Sequence, residues 1–359
     1  MSFHRVAVDP HTPFLHIGNM TYFSFFSEVS QSDHFSSTIM ETLVITTVFL
    51  TSVAANVGAA ALVTFERKPL ANKTILTLNL FVADVLFVSM IPLIVAVRWT
   101  VSWTLGYGAC HTVLFVTCMS GCVAITTLAS ISVERVQAIL RLQSVHTLNP
   151  RMVTATIVFI WAYSALSTLP LSLFFTVMEV NFPDHERVHI CTLKWPDMTG
   201  EIVWNVAFTA LCFLLPGLTI VVSYSKILQI AKSCRRRLQQ RDSRPPAGDS
   251  PDYQVSRQDM KLFRTMLVLV LSFLIMWSPI FIIAVLILAR NFLSHLHVSS
   301  TLFFWVVTFT MANSALNPIL YSVLQLKNGW RKLCCGSVVQ PLRKGPQASE
   351  VGRTPRIDP

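Results

Sequence analysis

Charge is scarce in this chain of 359 residues. Asp, Glu, Lys and Arg together make up 13%, about half the share that a soluble domain carries. A water-exposed surface cannot be covered from that supply. With 53% hydrophobic residues and a mean hydropathy of +0.56, the chain reads as a membrane protein. The same composition excludes disordered and collagen-like chains. Cysteine is sparse too: eight scattered residues do not make a disulfide scaffold. Three of them, Cys118, Cys122 and Cys212, fall inside apolar runs, where small buried thiols are expected. The first 38 residues hold no apolar core, so no cleavable signal peptide is expected and the first span has to serve as the insertion signal. The ten His show no paired spacing, so neither a metal nor a cofactor is expected. No His/Glu/Asp constellation sits at one depth, and the chain is not read as an enzyme.

Seven apolar stretches are long enough to cross a bilayer: 39–65, 74–97, 108–140, 152–177, 202–231, 261–290 and 299–323. A spanning helix needs about 20 mostly apolar residues, and backbone groups in lipid have to bond within the segment. The runs are too long and too uniformly apolar for the alternation of a β-barrel. The expected fold is an all-α membrane protein, a bundle of seven transmembrane helices over 39–323. Basic residues orient it. With residues 1–38 extracellular, the cytoplasmic segments hold three Lys/Arg at 66–73, three at 135–151, ten at 226–264 and seven from 327, which is 23 of the 28. The net charge of +10 is therefore topological and a contact for anionic membrane lipids, not a nucleic-acid surface. Asn19-Met20-Thr21 is a candidate glycosylation sequon on the outer side. Inside lie the third cytoplasmic loop at 233–257, a short amphipathic eighth helix at 327–336 along the inner leaflet, and a tail at 337–359. Cys334 and Cys335 beside that helix read either as palmitoylation sites or as two unmodified thiols.

Ionisable residues within spans are few, and such residues are functional candidates by default. Asp84 is mid-span and costly to leave unpaired, so a hydrogen bond to Asn56, Asn313 or Asn317 is expected. Arg98 lies 14 residues further on, about 21 Å along a helix, near the outer end. Glu134-Arg135 closes the third span on the cytoplasmic side. Asp259 precedes Trp277 by 18 residues, five helical turns on one face.

These residues fall in sets, one to each span. Asn56 is in the first and Leu80-Phe81-Val82-Ala83-Asp84 in the second. Glu134-Arg135-Val136 ends the third, Trp161 is in the fourth, and Pro216 with Tyr224 is in the fifth. Phe273 with Met276-Trp277-Ser278-Pro279 is in the sixth, and Asn317-Pro318-Ile319-Leu320-Tyr321 in the seventh. From about 39 to 336 the sequence resembles the rhodopsin-like (class A) family of G-protein-coupled receptors. That resemblance implies an extracellular disulfide between Cys110 and Cys191. It implies an activation switch drawn from Asp84, Glu134, Arg135, Tyr224, Asp259, Phe273, Pro279, Asn317 and Tyr321. It further implies a heterotrimeric G protein as partner and a multi-pass plasma-membrane protein, found in endosomes after internalisation. The departures are Val136 for the usual Tyr, Met276 for the usual Cys, and Ala124 where a Ser often helps to hold sodium.

The ligand class can be narrowed. The outer half of the third span, Cys110 to Ala129, has no acidic residue, which argues against an amine ligand. Met311 stands seven residues before Pro318, where opsins carry their retinal-linked Lys. The cation at the outer side is Arg98, beside Trp99 and Trp103. Around it the outer halves of the helices are aromatic: Phe87, Trp204, Phe208, Trp277, Phe303, Phe304 and Trp305. One cation above a long apolar lining suits an amphiphile with an anionic head. A guanidinium pairs well with a carboxylate, and a tail gains about 0.8 kcal/mol per buried CH₂. Two plainer readings stay open: Arg98 snorkelling to the interface beside Trp99, and aromatics that pack helices.

The strings Val97-Arg98-Trp99-Thr100, Cys191-Thr192-Leu193-Lys194-Trp195-Pro196 and Leu302-Phe303-Phe304-Trp305-Val306-Val307 resemble the members of the family that sense medium- and long-chain free fatty acids, omega-3 acids included. This closer resemblance implies signalling through a Gq-type G protein and calcium, and through arrestin. It implies a pocket lined by Phe25, Phe87, Arg98, Trp103, Trp204, Phe208, Trp277, Ile280, Phe303, Phe304 and Thr310. Thr117-Cys118 and Cys212 stand where bulkier or more polar residues are expected, which points to a different chain-length preference. The tail after residue 336 offers Ser337, Ser349 and Thr354 for phosphorylation.

Two competitors remain. One is a class A receptor for another lipid or for a peptide. The other is a transporter, against which stand the lack of an inverted repeat, of paired broken helices and of a chain of intramembrane charges. Within the receptor reading, Arg135 pairs with Asp259 in the resting state and holds the third and sixth helices together. Asp259→Ala is then expected to raise ligand-free signalling; unchanged basal output at equal surface expression would sink that pairing.

Overall fold

The computed structural model of the chain describes residues 7–8, 14–17, 20–27, 34–65, 72–141, 150–181, 187–241, 257–289, 292–293, 296 and 298–335. Three short strands open it: β1 (Ala7–Val8), β2 (Phe14–Ile17) and β3 (Met20–Phe23), paired antiparallel in that order. Helix α1 (His34–Phe65) is the first span, and α2 (Asn72–Val88) with α3 (Ile91–Thr100) makes the second. Helix α4 (Gly106–Arg141) is the third and α5 (Pro150–Phe174) the fourth. A hairpin follows, β4 (Phe175–Asn181) against β5 (Arg187–Leu193), with Cys191 opposite Val177. The fifth span is α6 (Met198–Thr209), a π-turn (Ala210–Leu214) and α7 (Leu215–Arg241). Helices α8 (Arg257–Ala289) and α9 (Ser300–Cys335) complete the bundle. Among the described residues seven helical stretches are long and apolar enough to cross a membrane, which agrees with the seven-helix reading.

Helix is the form that lipid demands, and the polar residues inside these spans comply with it. Thr47, Thr51 and Ser132 donate to the carbonyls of Leu43, Thr47 and Leu128, one turn back, at 2.6–2.8 Å. Each hydroxyl is thus satisfied within its own helix. Two spans are not uniform helices. The second breaks at Ser89–Met90, where Pro92 enters α3 at a first-turn position that needs no N–H. In the fifth, Pro216 has no N–H to give to the carbonyl of Cys212, and the chain takes the wider π-turn just before it.

Several expected boundaries move. The fourth span ends at Phe174, not 177, because the chain turns there into β4. The loop at 233–257 is helical as far as Arg241, since Arg, Leu and Gln at 235–241 favour helix. The segment at 327–336, expected as a short amphipathic helix, is helical as far as Cys335 and continues α9 without a break.

Helix α4 stands at the centre and touches α2, α3, α5 and α7, while α9 closes the ring against α1, α2 and α8. Buried polar contacts tie these helices where lipid offers no partner. Trp161 donates its Nε1 to Asn79 Oδ1 at 2.8 Å, and Asn79 Nδ2 donates to Thr127 Oγ1 at 2.8 Å. One amide thus joins the second, third and fourth spans. Asn79→Ala leaves an indole N–H without its partner, at a cost of about 1–3 kcal/mol. The expected result is a melting temperature several degrees lower in detergent, with Trp161→Phe accounting for part of the loss. A parent-like melting curve for Asn79→Ala would show that the tie carries no stability.

Candidate ligand cavity and its cytoplasmic relay

A cavity of about 220 Å³ lies in the outer half of the bundle, far larger than the roughly 30 Å³ share of one water molecule. Its wall draws on the segment before α1, on α2, α3, α4, the β4–β5 hairpin, α6, α8 and α9. Disulfide Cys110–Cys191 fastens the hairpin to the outer end of α4, with a Cα–Cα distance of 5.7 Å. The pairing that the family resemblance implied is present. Thr192 Oγ1 donates to the Phe23 carbonyl at 2.9 Å, so the hairpin also holds the N-terminal segment in place. That segment brings Phe23, Phe25 and Phe26 onto Phe303, with ring centroids 5.8, 5.2 and 5.6 Å away. Edge-on ring pairs of this kind add about 0.5–1.5 kcal/mol each beyond the area they bury, which holds the cap down.

Eight of the eleven expected lining residues reach the cavity: Phe25, Phe87, Trp204, Phe208, Trp277, Ile280, Phe303 and Thr310. Arg98, Trp103 and Phe304 do not, and each has a physical reason. Trp103 anchors the outer loop: its backbone N–H donates to the His189 carbonyl at 2.7 Å and its indole to the Gly106 carbonyl at 2.9 Å. Gly106 sits at φ +81°, a turn conformation that a glycine adopts without strain. Phe304 turns away to lie under the Arg98 guanidinium, 5.2 Å from its ring centre, a cation–π contact.

Arg98 is neither a free anchor nor a snorkelling side chain. It is 1% exposed and forms a two-pronged ion pair with Glu41 of α1, Nε to Oε2 and Nη2 to Oε1 both at 2.7 Å. Its Nη1 donates to the Phe26 carbonyl at 3.1 Å and its Nη2 to Thr301 Oγ1 at 3.3 Å. The guanidinium therefore joins α1, α3, α9 and the cap. Glu41 is the residue that sequence reasoning missed, and the signal was there: a carboxylate two positions inside the expected first span.

The cavity floor is Trp277, stacked on Phe87 with centroids 5.1 Å apart and planes at 23°. A Cβ on Gly121 would stand 2.7 Å from the Trp277 ring, so the absence of a side chain there lets the indole reach α4. Phe273, 6.1 Å from Trp277, and Pro279 within α8 flank it. Thr310 Oγ1 donates to the Met276 carbonyl at 3.0 Å.

Polar lining gathers on one stripe of the fifth span. Asp197, Glu201, Asn205 and Thr209 follow at intervals of four and all line the cavity. The Asp197 carboxylate caps α6 by accepting from the Gly200 N–H at 2.7 Å. No Lys or Arg lines the cavity among the described residues. The indole N–H groups of Trp195 and Trp277, both in the wall, are buried and have no partner among the described residues. Tyr22 also lines the wall, and burial pushes its phenol above the usual range, so it is a neutral donor.

Towards the cytoplasm, Asp84 is 2% exposed and accepts from Asn317 Nδ2 at 2.9 Å; of the three partners expected, Asn317 is the one it holds. Asn56 donates instead to the Ser52 and Ser314 carbonyls at 2.9 and 3.0 Å. Arg135 lies 3.8 Å from Glu134. Tyr224 is buried on the fifth span, and the Ser132 hydroxyl donates to the Leu128 carbonyl at 2.8 Å. The side chains of Asp259, Tyr321, Cys334 and Cys335, and residue Asn19, lie outside the described residues.

The sequence matches the model of the 7 transmembrane receptor (rhodopsin family) over residues 55–321. It is 47% identical over 319 residues to free fatty acid receptor 4 of Mus musculus, covering 88% of this chain and 87% of that protein. The receptor of the same name from Rattus norvegicus matches to the same extent. Somatostatin receptor type 5 of Rattus norvegicus is 32% identical over 266 residues, 72% of this chain and 67% of its own.

The buried pair makes a sharp prediction. Arg98→Gln strands the Glu41 carboxylate, and Glu41→Gln strands the guanidinium. Either loss costs about 3–5 kcal/mol and is expected to cut surface expression several-fold. The double variant carries no stranded charge and is expected to recover most of it. Surface immunolabelling decides: a double variant as poorly expressed as the singles would show that charge pairing is not what Arg98 supplies.

Proposed function

The chain belongs to the rhodopsin family of seven-transmembrane receptors, and from that premise we propose that it is a plasma-membrane receptor for long-chain free fatty acids. The carrying observation is the cavity: an aromatic tube closed by a Phe-rich cap and floored by Trp277, suited to a hydrocarbon tail. The likeness to free fatty acid receptor 4 of mouse and rat supports the same ligand class.

The tail lies along Phe87, Trp204, Phe208 and Phe303. The carboxylate does not need Arg98, whose donors are taken by Glu41. It meets the unpartnered indole N–H of Trp195 and the side-chain amide of Asn205, both in the wall. Arg98 acts on the ligand at one remove, by fixing the cap. A ligand that packs better against one arrangement of Trp277 shifts the two-state balance of the bundle. The movement at Trp277 and Pro279 swings the inner end of α8. Asp84 with Asn317, and Tyr224 and Arg135 at the cytoplasmic end, then rearrange. A groove opens at Arg135 for a Gq-type G protein, and arrestin follows at the same face.

A second reading has one observation in its favour. Asp197 and Glu201 are the charged residues of the described wall, which suits a ligand bearing a cationic group.

Intracellular calcium in cells expressing the chain separates the two. Saturated and polyunsaturated acids of graded length are expected to evoke a response. Potency should fall roughly tenfold for every two CH₂ groups removed, from about 0.8 kcal/mol each. Trp195→Phe is expected to weaken potency by tenfold or more, from the loss of a hydrogen bond to a charged group worth about 1.5–3 kcal/mol. The Glu41→Gln, Arg98→Gln double variant keeps the response at matched expression; its loss there would return the carboxylate to Arg98. Silence to every acid, with a response to a cationic amphiphile, would favour the second reading.

A further inference from the structure

A hydrogen bond from the fourth span reaches the irregular turn of the fifth. At the π-turn Ala210–Leu214 the Leu215 N–H donates to the Ala210 carbonyl, five residues back. In that register the Leu211 carbonyl comes next, and the residue five further on is Pro216, which has no N–H to offer. The Leu211 carbonyl is thereby left over inside a membrane span, where no water replaces the missing donor. Tyr163 of α5 supplies one: its hydroxyl donates to the Leu211 carbonyl at 2.9 Å. One turn outward on α5, the Ser167 carbonyl accepts from the Trp204 indole N–H at 3.1 Å. The fourth span thus holds the fifth at the turn and above it. Tyr163 is not part of the cavity wall. Its ring stacks on Phe159, an exposed neighbour on the same helix, with centroids 5.9 Å apart.

The turn decides where two phenylalanines point. Phe208 and Phe213 are five residues apart, which on a regular α-helix separates them by about 140°. The wider turn brings both onto one neighbour, Phe281 of α8, with ring centroids 6.1 and 4.5 Å away. Phe208 and Phe281 are in the cavity wall, whereas Phe213 is not. Phe213 also reaches Phe273 at 6.1 Å, and Phe273 reaches Trp277 at 6.1 Å. A line of rings therefore runs from wall to floor through Phe208, Phe281, Phe213, Phe273 and Trp277. We propose that Tyr163 is a positioning residue for the ligand response: by donating to the Leu211 carbonyl it pins the π-turn and keeps Phe208 and Phe213 together on Phe281. Without the hydroxyl, the Leu211 carbonyl regains a partner when the Leu215 N–H turns back to it. That closes the wide turn and rotates Phe213 off Phe281. The role in the response rests on the fatty-acid reading; the clasp itself does not.

Amide hydrogen exchange of the full-length receptor in detergent, without ligand, tests the clasp. Tyr163→Phe keeps the ring and removes the donor. It is expected to raise exchange several-fold in the peptide that carries residues 209–215. Phe159→Leu removes only the ring neighbour and is expected to leave exchange there as in the parent. Unchanged exchange in Tyr163→Phe would overturn the proposal whatever the ligand. Intracellular calcium evoked by linoleic acid then tests the role. At matched surface expression Tyr163→Phe is expected to lower potency by about three- to tenfold, the span of one net hydrogen bond. Pro216→Ala separates positioning from packing. It returns an N–H at residue 216 to the fifth span's own carbonyls, so adding Tyr163→Phe is expected to cost nothing further. An equal loss in both backgrounds would reduce Tyr163 to a packing residue. Raised exchange with unchanged potency would strip it of any part in the response. A parent silent to linoleic acid removes the fatty-acid reading and the role with it, while exchange still decides the clasp.

Discussion

A guanidinium sealed at 1% exposure inside a bundle surrounded by lipid exists only with its acceptors in place. Arg98 finds two carboxylate oxygens on α1, a carbonyl in the cap, a hydroxyl on α9 and an aromatic face beneath it. These partners come from α1, the cap and α9, so the charge acts as a rivet. It fixes where the segment of Phe23, Phe25 and Phe26 lies, and that segment is the roof of the cavity. Everything proposed for the ligand site depends on this roof. A buried pair of this kind adds little net stability against an apolar alternative. Its value here is placement.

Small departures from regular helix shape the rest. The second span breaks at Ser89–Met90, the fifth widens into a π-turn before Pro216, and α8 contains Pro279. Each comes from a residue that cannot donate to the turn before it. These irregularities lie in the spans that wall the cavity, where side chains have to be re-aimed inward. Gly121 does the same work by absence, leaving room for Trp277 to stack between α4 and Phe87. A tightly packed floor is either in one arrangement or in another, which is what a switch between two states needs.

The polar core connects that floor to the cytoplasmic face. Asp84 with Asn317, Asn56 with the Ser52 and Ser314 carbonyls, and Arg135 beside Glu134 form a descending series. Asp84, Asn56 and Asn317 are buried, so a shift in one of their helices has to be answered by a change of partner in the next.

Much of this was readable from residues in order. Length and uniform apolarity settle seven helices, because a bilayer admits few other solutions. Clustered Lys and Arg settle their direction, and the single-residue marks in each span point to the family and to Trp277, Asp84 and Arg135. Eight of the eleven wall residues that the family resemblance implied do line the cavity. Tertiary structure alone decided the rest. Whether Arg98 faced a ligand, the interface or a partner turned on Glu41, 57 residues earlier, and no local pattern couples two helices across that separation. Trp103 and Phe304 left the wall for equally distant partners, His189 and Arg98. That the acidic stripe at Asp197 and Glu201 faces the cavity emerges only when helices are rotated against one another. A sequence carries the chemistry of its side chains, but which of them share a cavity is a property of packing.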